Sequence, residues 1–263
     1  MRSRLRALVV LVAVAALVPS TPSSAITFGN FDGNRHPNVG SIVAEWREEG
    51  QKDLLCSGTL IDESVFLTAA HCTEYLASID IGPDDVWVTF DPTFDENSPL
   101  IAGTYTSHPG YNQRQSDPKD IAVVELEQDG GAEPATLPEA NELGRMRDAG
   151  TLDDEWFTAV GYGTVRENKR RGPHSLEDND NRYYATQEFT TLTKTWLKLS
   201  MNPSTGSGGT CYGDSGGPHF LRDTDLIVSI TITGDAQCRA TDVTYRLDTR
   251  SARNFLDDFV TLP

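Results

Sequence analysis

No apolar run in this chain is long enough to cross a bilayer. The longest, Ala7–Val18, falls well short of the roughly 20 residues that a spanning helix needs. Positive charge is also scarce: 22 Lys and Arg stand against 39 Asp and Glu, a net of −17. Such an excess repels phosphate backbones and anionic lipid, so nucleic acid and membrane surfaces are not expected partners. Cysteine is limited to four residues, and neither a C-x-x-C nor an H-x-x-x-H spacing occurs. The usual zinc patterns are therefore missing, and neither metal nor cofactor is expected. Helical stripes are scarce as well, with none of strength before about residue 130.

The features that are present begin with the amino terminus. Arg2, Arg4 and Arg6 precede the short apolar run, and Ser23-Ser24-Ala25 closes the segment with small residues. Basic start, apolar centre and small-residue end read as a secretory signal over residues 1–25, removed on export. The mature chain is expected to begin at Ile26, with 19 basic residues and a net charge of −20 once the three arginines are gone. Its setting is extracellular, where four cysteines pair rather than stay free. Of three possible connectivities, spacing alone selects none.

Short apolar segments separated by turn residues follow: Ser41–Trp46, Leu54–Ile61, Ser64–Ala69, Val86–Phe90, Ile101–Tyr105 and Ile121–Leu126. Their length and β-branched content favour strands, and many such strands imply a sandwich or closed barrel. Residues 128–141, with Gly130-Gly131 and two prolines, mark a crossover. The second half repeats the pattern at Trp156–Val160, Arg182–Ser200, Leu226–Thr233 and Val243–Leu247, around a charged surface loop over Arg166–Arg182. Near the end, Ala252, Phe255, Leu256 and Phe259 recur at helical spacing, with Ser251 as the expected N-cap.

Three stretches carry chemistry. Cys211-Tyr212-Gly213-Asp214-Ser215-Gly216-Gly217-Pro218 sets one hydroxyl among glycines that leave backbone N–H groups bare, as an acyl-transfer serine requires. Read alone it is also an ordinary Gly-rich turn. Thr68-Ala69-Ala70-His71-Cys72 offers an imidazole among small residues, and Asp120 leads into the apolar Ile121-Ala122-Val123-Val124. A buried carboxylate needs a partner, and the ring N–H of His71 would supply one. Asp117, before Pro118, is the rival acid and reads as an exposed turn residue, while His36, His108, His174 and His219 lack comparable surroundings. The stretch 213–217 also fits G-x-S-x-G, but that pattern's acid and then histidine must follow the serine, and only His219 does.

In the order His, Asp, Ser, these three motifs resemble the chymotrypsin/trypsin family of serine proteases, from about Ile26 to the C-terminus. The resemblance implies an all-β fold: two packed antiparallel six-stranded β-barrels with a C-terminal helix, the first over residues 26–130 and the second over 131–263. It implies a secreted, monomeric serine endopeptidase acting on protein or peptide substrates through an acyl-enzyme on Ser215. His71 would be the general base, Asp120 its orienting acid, and the N–H groups of Gly213 and Ser215 the oxyanion hole. It pairs Cys56 with Cys72 and Cys211 with Cys238, and joins a freed Ile26 amino group to Asp214. The family's pocket floor falls on Gly209, where a trypsin-like enzyme carries Asp. Asp242 then lies either on the far pocket wall or outside it in a shortened loop. The hydroxyl facing the catalytic acid falls on Thr231 if one residue is inserted, which makes Thr233 a pocket-wall residue; without the insertion it falls on Ile232. A catalytically silent binding protein and an esterase remain the alternatives on the same fold.

Overall fold

The computed structural model describes residues 25–166 and 176–263. The leader assigned to residues 1–25 lies outside the described residues apart from Ala25. So do positions 167–175 of the charged loop.

In chain order the elements are α1 (Ala25–Phe28), β1 (Asn30–Phe31), β2 (Val39–Glu48), β3 (Gln51–Asp62), β4 (Val65–Thr68), α2 (Ala70–Ser78), β5 (Val86–Thr89), β6 (Ile101–Ser107) and β7 (Ala122–Leu126). Next come α3 (Glu142–Asp148), a single 3₁₀ turn, β8 (Trp156–Gly161), β9 (Val165–Arg166), β10 (Leu176–Glu177), β11 (Tyr183–Leu192), β12 (Trp196–Ser200), β13 (Pro218–Leu221), β14 (Ile227–Gly234), β15 (Thr241–Arg246) and α4 (Arg250–Leu256).

Strands β2–β3–β4–β7–β6–β5 close into one antiparallel barrel. The order β11–β12–β15–β14–β13–β8 closes into a second, because β8 also pairs with β11, and β1 adds an edge to β11. Both rings hide the unpaired backbone that an open sheet would expose. Inward residues such as Val39, Leu60, Phe66, Leu67, Val88 and Val123 are buried in the first barrel, and Ile227, Ile230 and Tyr245 in the second join the same apolar cluster. One apolar cluster thus crosses the seam, while Phe157, Leu197, Leu199 and Val228 belong to a separate cluster of the second barrel.

A buried ion pair fastens the seam. Arg182, fully buried, donates to Asp32 (2.8 Å), to the carbonyls of Val39 (2.7 Å), Phe90 (2.9 Å) and Gly33 (2.9 Å), and to the Tyr162 hydroxyl (3.3 Å). One guanidinium therefore gathers the first barrel, the entering chain and β11, with most of its donors satisfied as a buried charge requires. Burial works against ionisation of Asp32, but the hydrogen bond from His36 and the charge of Arg182 hold its carboxyl below the usual range. The expected surface loop over Arg166–Arg182 thus ends on the most deeply held cation described here.

One helical expectation needs correction, at the C-terminus. The first half, where no strong helical stripe is expected, holds the short helix α2, which includes His71 and buries Ala70, Cys72, Thr73 and Leu76. Its apolar face is too short and too rich in small residues to stand out as a stripe. At the C-terminus the N-cap of α4 is Thr249, whose hydroxyl accepts from the Ala252 N–H at 3.2 Å, rather than Ser251. The helix ends at Leu256, and the Phe259 ring packs at a tilt against Phe255 from beyond it.

Candidate active site

His71 sits at the start of α2, just after β4, and Asp120 lies two residues before β7. Strands β4 and β7 are hydrogen-bonded neighbours, with Thr68 opposite Ala122, so the ladder delivers both side chains to one rim. Asp120, 1% exposed, accepts the His71 backbone N–H through one oxygen (2.8 Å) and meets the ring Nδ1 through the other (3.0 Å). This double hold fixes the ring's rotation and favours the proton on Nδ1, which leaves Nε2 free to face outward. Asp117, the rival acid, is half-buried and bound elsewhere, accepting from the Tyr245 hydroxyl at 3.0 Å.

Ser215 arrives from the second barrel on the loop before β13. Its neighbours Gly213 and Gly216 have φ of +96° and +78°, backbone that a side chain would strain. A Cβ on Gly216 would also overlap the Thr68 hydroxyl. The Gly213 carbonyl accepts both the N–H (3.0 Å) and the hydroxyl (2.9 Å) of Ser57 on β3, which ties the serine loop to the first barrel. That carbonyl points inward, and neither the Gly213 nor the Ser215 N–H has a backbone acceptor among the described residues. His71 and Ser215 line one cavity of about 430 Å³ with Thr210, Cys211 and the strand segment Thr231–Gly234.

Asp214, 1% exposed, accepts the N–H groups of Gly163 and Cys211, each at 2.8 Å. Burial pushes its carboxyl up to about 7 against those two bonds, with a further push from the charge of Asp242. Among the described residues no cation pairs with it. Ile26, held in peptide linkage to Ala25, is buried against Val165, Tyr183 and Ala185. The structure therefore does not bring Ile26 and Asp214 together as an ion pair.

The pocket residues divide. Thr233 lines the cavity. Gly209 does not: it is packed against Met201, where an added Cβ would meet the thioether sulfur at 2.6 Å. The next residue, Thr210, forms the wall instead. Asp242 is fully buried behind that wall, outside the lining. One oxygen accepts from Thr210 (2.5 Å), Gln187 (3.1 Å) and His219 (3.0 Å), while the other has no partner among the described residues. Neither Thr210 nor buried His219 stood out in the sequence. Thr231, expected to set its hydroxyl against Asp120, lines the cavity instead, and that hydroxyl has no hydrogen-bond partner among the described residues. The β14–β15 register slips between Thr231 and Thr233, so Ile232 is the extra residue of a bulge.

Cys56 is bonded to Cys72 and Cys211 to Cys238. Cys56, His71 and Cys72 come close enough to suggest a metal site, but both sulfurs are committed to the disulfide.

A family model described as Trypsin matches residues 33–256. The chain is 27% identical over 214 residues to a trypsin of Saccharopolyspora erythraea, covering 78% of this chain and 84% of that one. It is 26% identical over 241 residues to "Trypsin, alkaline C" of Manduca sexta, covering 85% and 86%. A solved structure of HL collagenase superposes with a TM-score of 0.66 at 18% identity, covering 88% of this chain and 96% of that one, a likeness of fold.

Proposed function

Because the chain belongs to the trypsin family of serine peptidases, we propose that it is a secreted endopeptidase that cuts peptide bonds through an acyl-enzyme on Ser215. The observation that carries this reading is the double hold of Asp120 on His71, at the mouth of the cavity that Ser215 also lines.

In this mechanism Ser215 Oγ attacks the carbonyl carbon as His71 Nε2 takes its proton. Asp120 keeps the other ring nitrogen protonated and offsets the imidazolium charge. The oxyanion accepts from the N–H groups of Gly213 and Ser215, donors already fixed before the reaction and so free of reorganisation cost. His71 then protonates the leaving amine, the acyl-enzyme ester remains, and water repeats the sequence in reverse roles. Residues 26–130 carry the acid and base and residues 131–263 the nucleophile, so the reaction joins two halves of one monomer. Removal of residues 1–25 would free the Ile26 amino group, and a buried carboxyl with no cation is a site that such an amine would satisfy. Export through that leader suits the two disulfides.

Thr233 narrows the pocket for the residue before the cut. Asp242 acts on that pocket through Thr210 rather than as a wall, and Gly209 leaves the floor to neighbouring side chains.

A fluorophosphonate probe tests the reading. Labelling that disappears in Ser215→Ala supports an enzyme, and an unlabelled parent points to a silent binding protein. Casein digestion then separates a peptidase from an esterase. Peptides that differ only at the residue before the cut, compared between the parent and Asp242→Asn, test the pocket: an unchanged preference would mean that Asp242 has no role in it.

A further inference from the structure

Behind the wall that Thr210 gives the Ser215 cavity lies a polar cluster shut off from solvent. Asp242, His219 and Gln187 are all fully buried. Gln187 bridges the other two: its amide N–H donates to Asp242 Oδ2 at 3.1 Å, and its Oε1 lies 3.0 Å from His219 Nε2. The same Nε2 is 3.0 Å from Asp242 Oδ2. Both of its neighbours are acceptors, so Nε2 carries a proton whatever the charge of the ring.

The charge of the ring is therefore decided at Nδ1, which has no hydrogen-bond partner among the described residues. Adding or removing a proton there breaks no bond to Asp242 or Gln187. Only the charge of the cluster changes: an imidazolium cancels the Asp242 carboxylate, whereas a neutral ring leaves a negative charge sealed inside the second barrel.

Few groups face His219. Along β13 it is flanked by Pro218 and Phe220, while β8 sets Ala159 opposite it and β14 sets Ser229. Strand β11 contributes Gln187 and β15 contributes Asp242. The serine loop adds Asp214, whose carboxyl feels the charge of Asp242. Among the described residues the ion-pair partner of Asp242 is His219.

That charge reaches the cavity through Thr210. Its hydroxyl proton goes to Asp242 Oδ2 at 2.5 Å, since Met201 Sδ, at 3.7 Å, is the weaker acceptor. With the proton turned inward, lone pairs are what the hydroxyl can offer a ligand in the cavity that Thr210 lines. A carboxylate behind that oxygen polarises it, and a buried charge is little screened by salt.

We propose that His219 is a proton switch for the selectivity of this cavity: with its ring neutral the cavity favours a cationic side chain before the cut, and with its ring protonated that preference is lost. This switch deepens the proteolytic reading and rests on it for what enters the cavity. His219 touches no substrate and acts through Asp242 and Thr210, as a positioning residue. Because histidine changes charge between about pH 5 and 8, the preference for a cation rises with pH across that range.

The test compares peptides identical except for Lys or norleucine before the cut, in the chain that begins at Ile26, where the freed amine keeps Asp214 charged. Dividing one kcat/KM by the other removes the titration of His71, which both substrates share. The Lys/norleucine ratio should rise about tenfold from about pH 5 to 8. In His219→Gln, which has an N–H donor but no titration, the ratio should be high at the acid end and stay level. In Asp242→Asn it should fall about tenfold at the alkaline end. A merely structural His219 would change activity toward both substrates and leave the slope of their ratio alone.

Two readouts need no catalysis. The His219 ring resonance, assigned by its loss in His219→Gln, should titrate within the same range. Ser215→Ala should prefer n-butylammonium over n-butanol about tenfold more strongly at the alkaline end than at the acid end. If the parent cuts no peptide and this shift still appears, the switch stands and the protease falls. A level ratio in the parent, a slope that persists in His219→Gln, or a ring that keeps one charge throughout would overturn the inference.

Discussion

Cutting the bond between Ala25 and Ile26 is expected to reverse the way stability depends on pH. In the uncut chain the Asp214 carboxyl is buried and pushed from 3.8 up to about 7. Unfolded, it returns to its ordinary value near 4. Between pH 4 and 7 the folded chain therefore holds a proton that the unfolded chain has lost, and stability must fall as pH rises through that window. At 1.36 kcal/mol per pKa unit the fall amounts to about 4 kcal/mol, a large share of a typical domain's stability. Once the α-amino group of Ile26 is free and paired with Asp214, the carboxyl drops below its ordinary value. Its contribution is then present above pH 4 and lost as pH falls. Urea unfolding of Ser215→Ala, uncut before Ile26 and starting at Ile26, measured from pH 4 to 8 beside the matching Asp214→Asn variants, reads the difference. If the uncut protein and its Asn variant share one slope across that range, the account of Asp214 as an uncompensated buried carboxyl fails.

Replacing Asp120 by Asn should leave the fold intact and lower kcat by about 10⁴, because the amide no longer holds His71 in the tautomer with an outward lone pair. Steady-state kinetics on a peptide substrate checks this, and a drop below tenfold would mean that Asp120 does not orient the base. In Gly213→Ala the methyl group meets Gly163 Cα at 3.1 Å on backbone with φ of +96°. Strain of about 1–3 kcal/mol should turn the oxyanion N–H aside, with kcat down roughly 10²-fold or more and KM little changed. Arg182→Ala strands Asp32 in the interior and should cost about 3–5 kcal/mol in urea unfolding. A loss under 1 kcal/mol would show that the seam is held by apolar packing alone.

Much of the fold could be read from local signals. The strand segments at Val86–Thr89, Ile101–Ser107 and Trp156–Gly161 match the expected ones to within about two residues, since β-branched runs bounded by turn residues are legible without knowing their partners. Strand β13 escaped notice because Pro218–Leu221 is four residues long and adjoins the glycines of the serine loop. Helix α2 was hidden for a different reason: Ala70, Cys72, Thr73 and Leu76 are buried, and the helix packs on β6, without a wide apolar stripe.

By itself the sequence determined which groups the chain has to work with: a serine on bare backbone, a histidine among small residues and an aspartate leading an apolar strand. Those follow from residue identity and from neighbours a few positions away. Which groups lie behind the cavity wall was decided only by tertiary structure. Asp242 meets His219 and Thr210 because β14 carries a bulge and β13 lies beside it, and no local pattern encodes a register slip between distant strands.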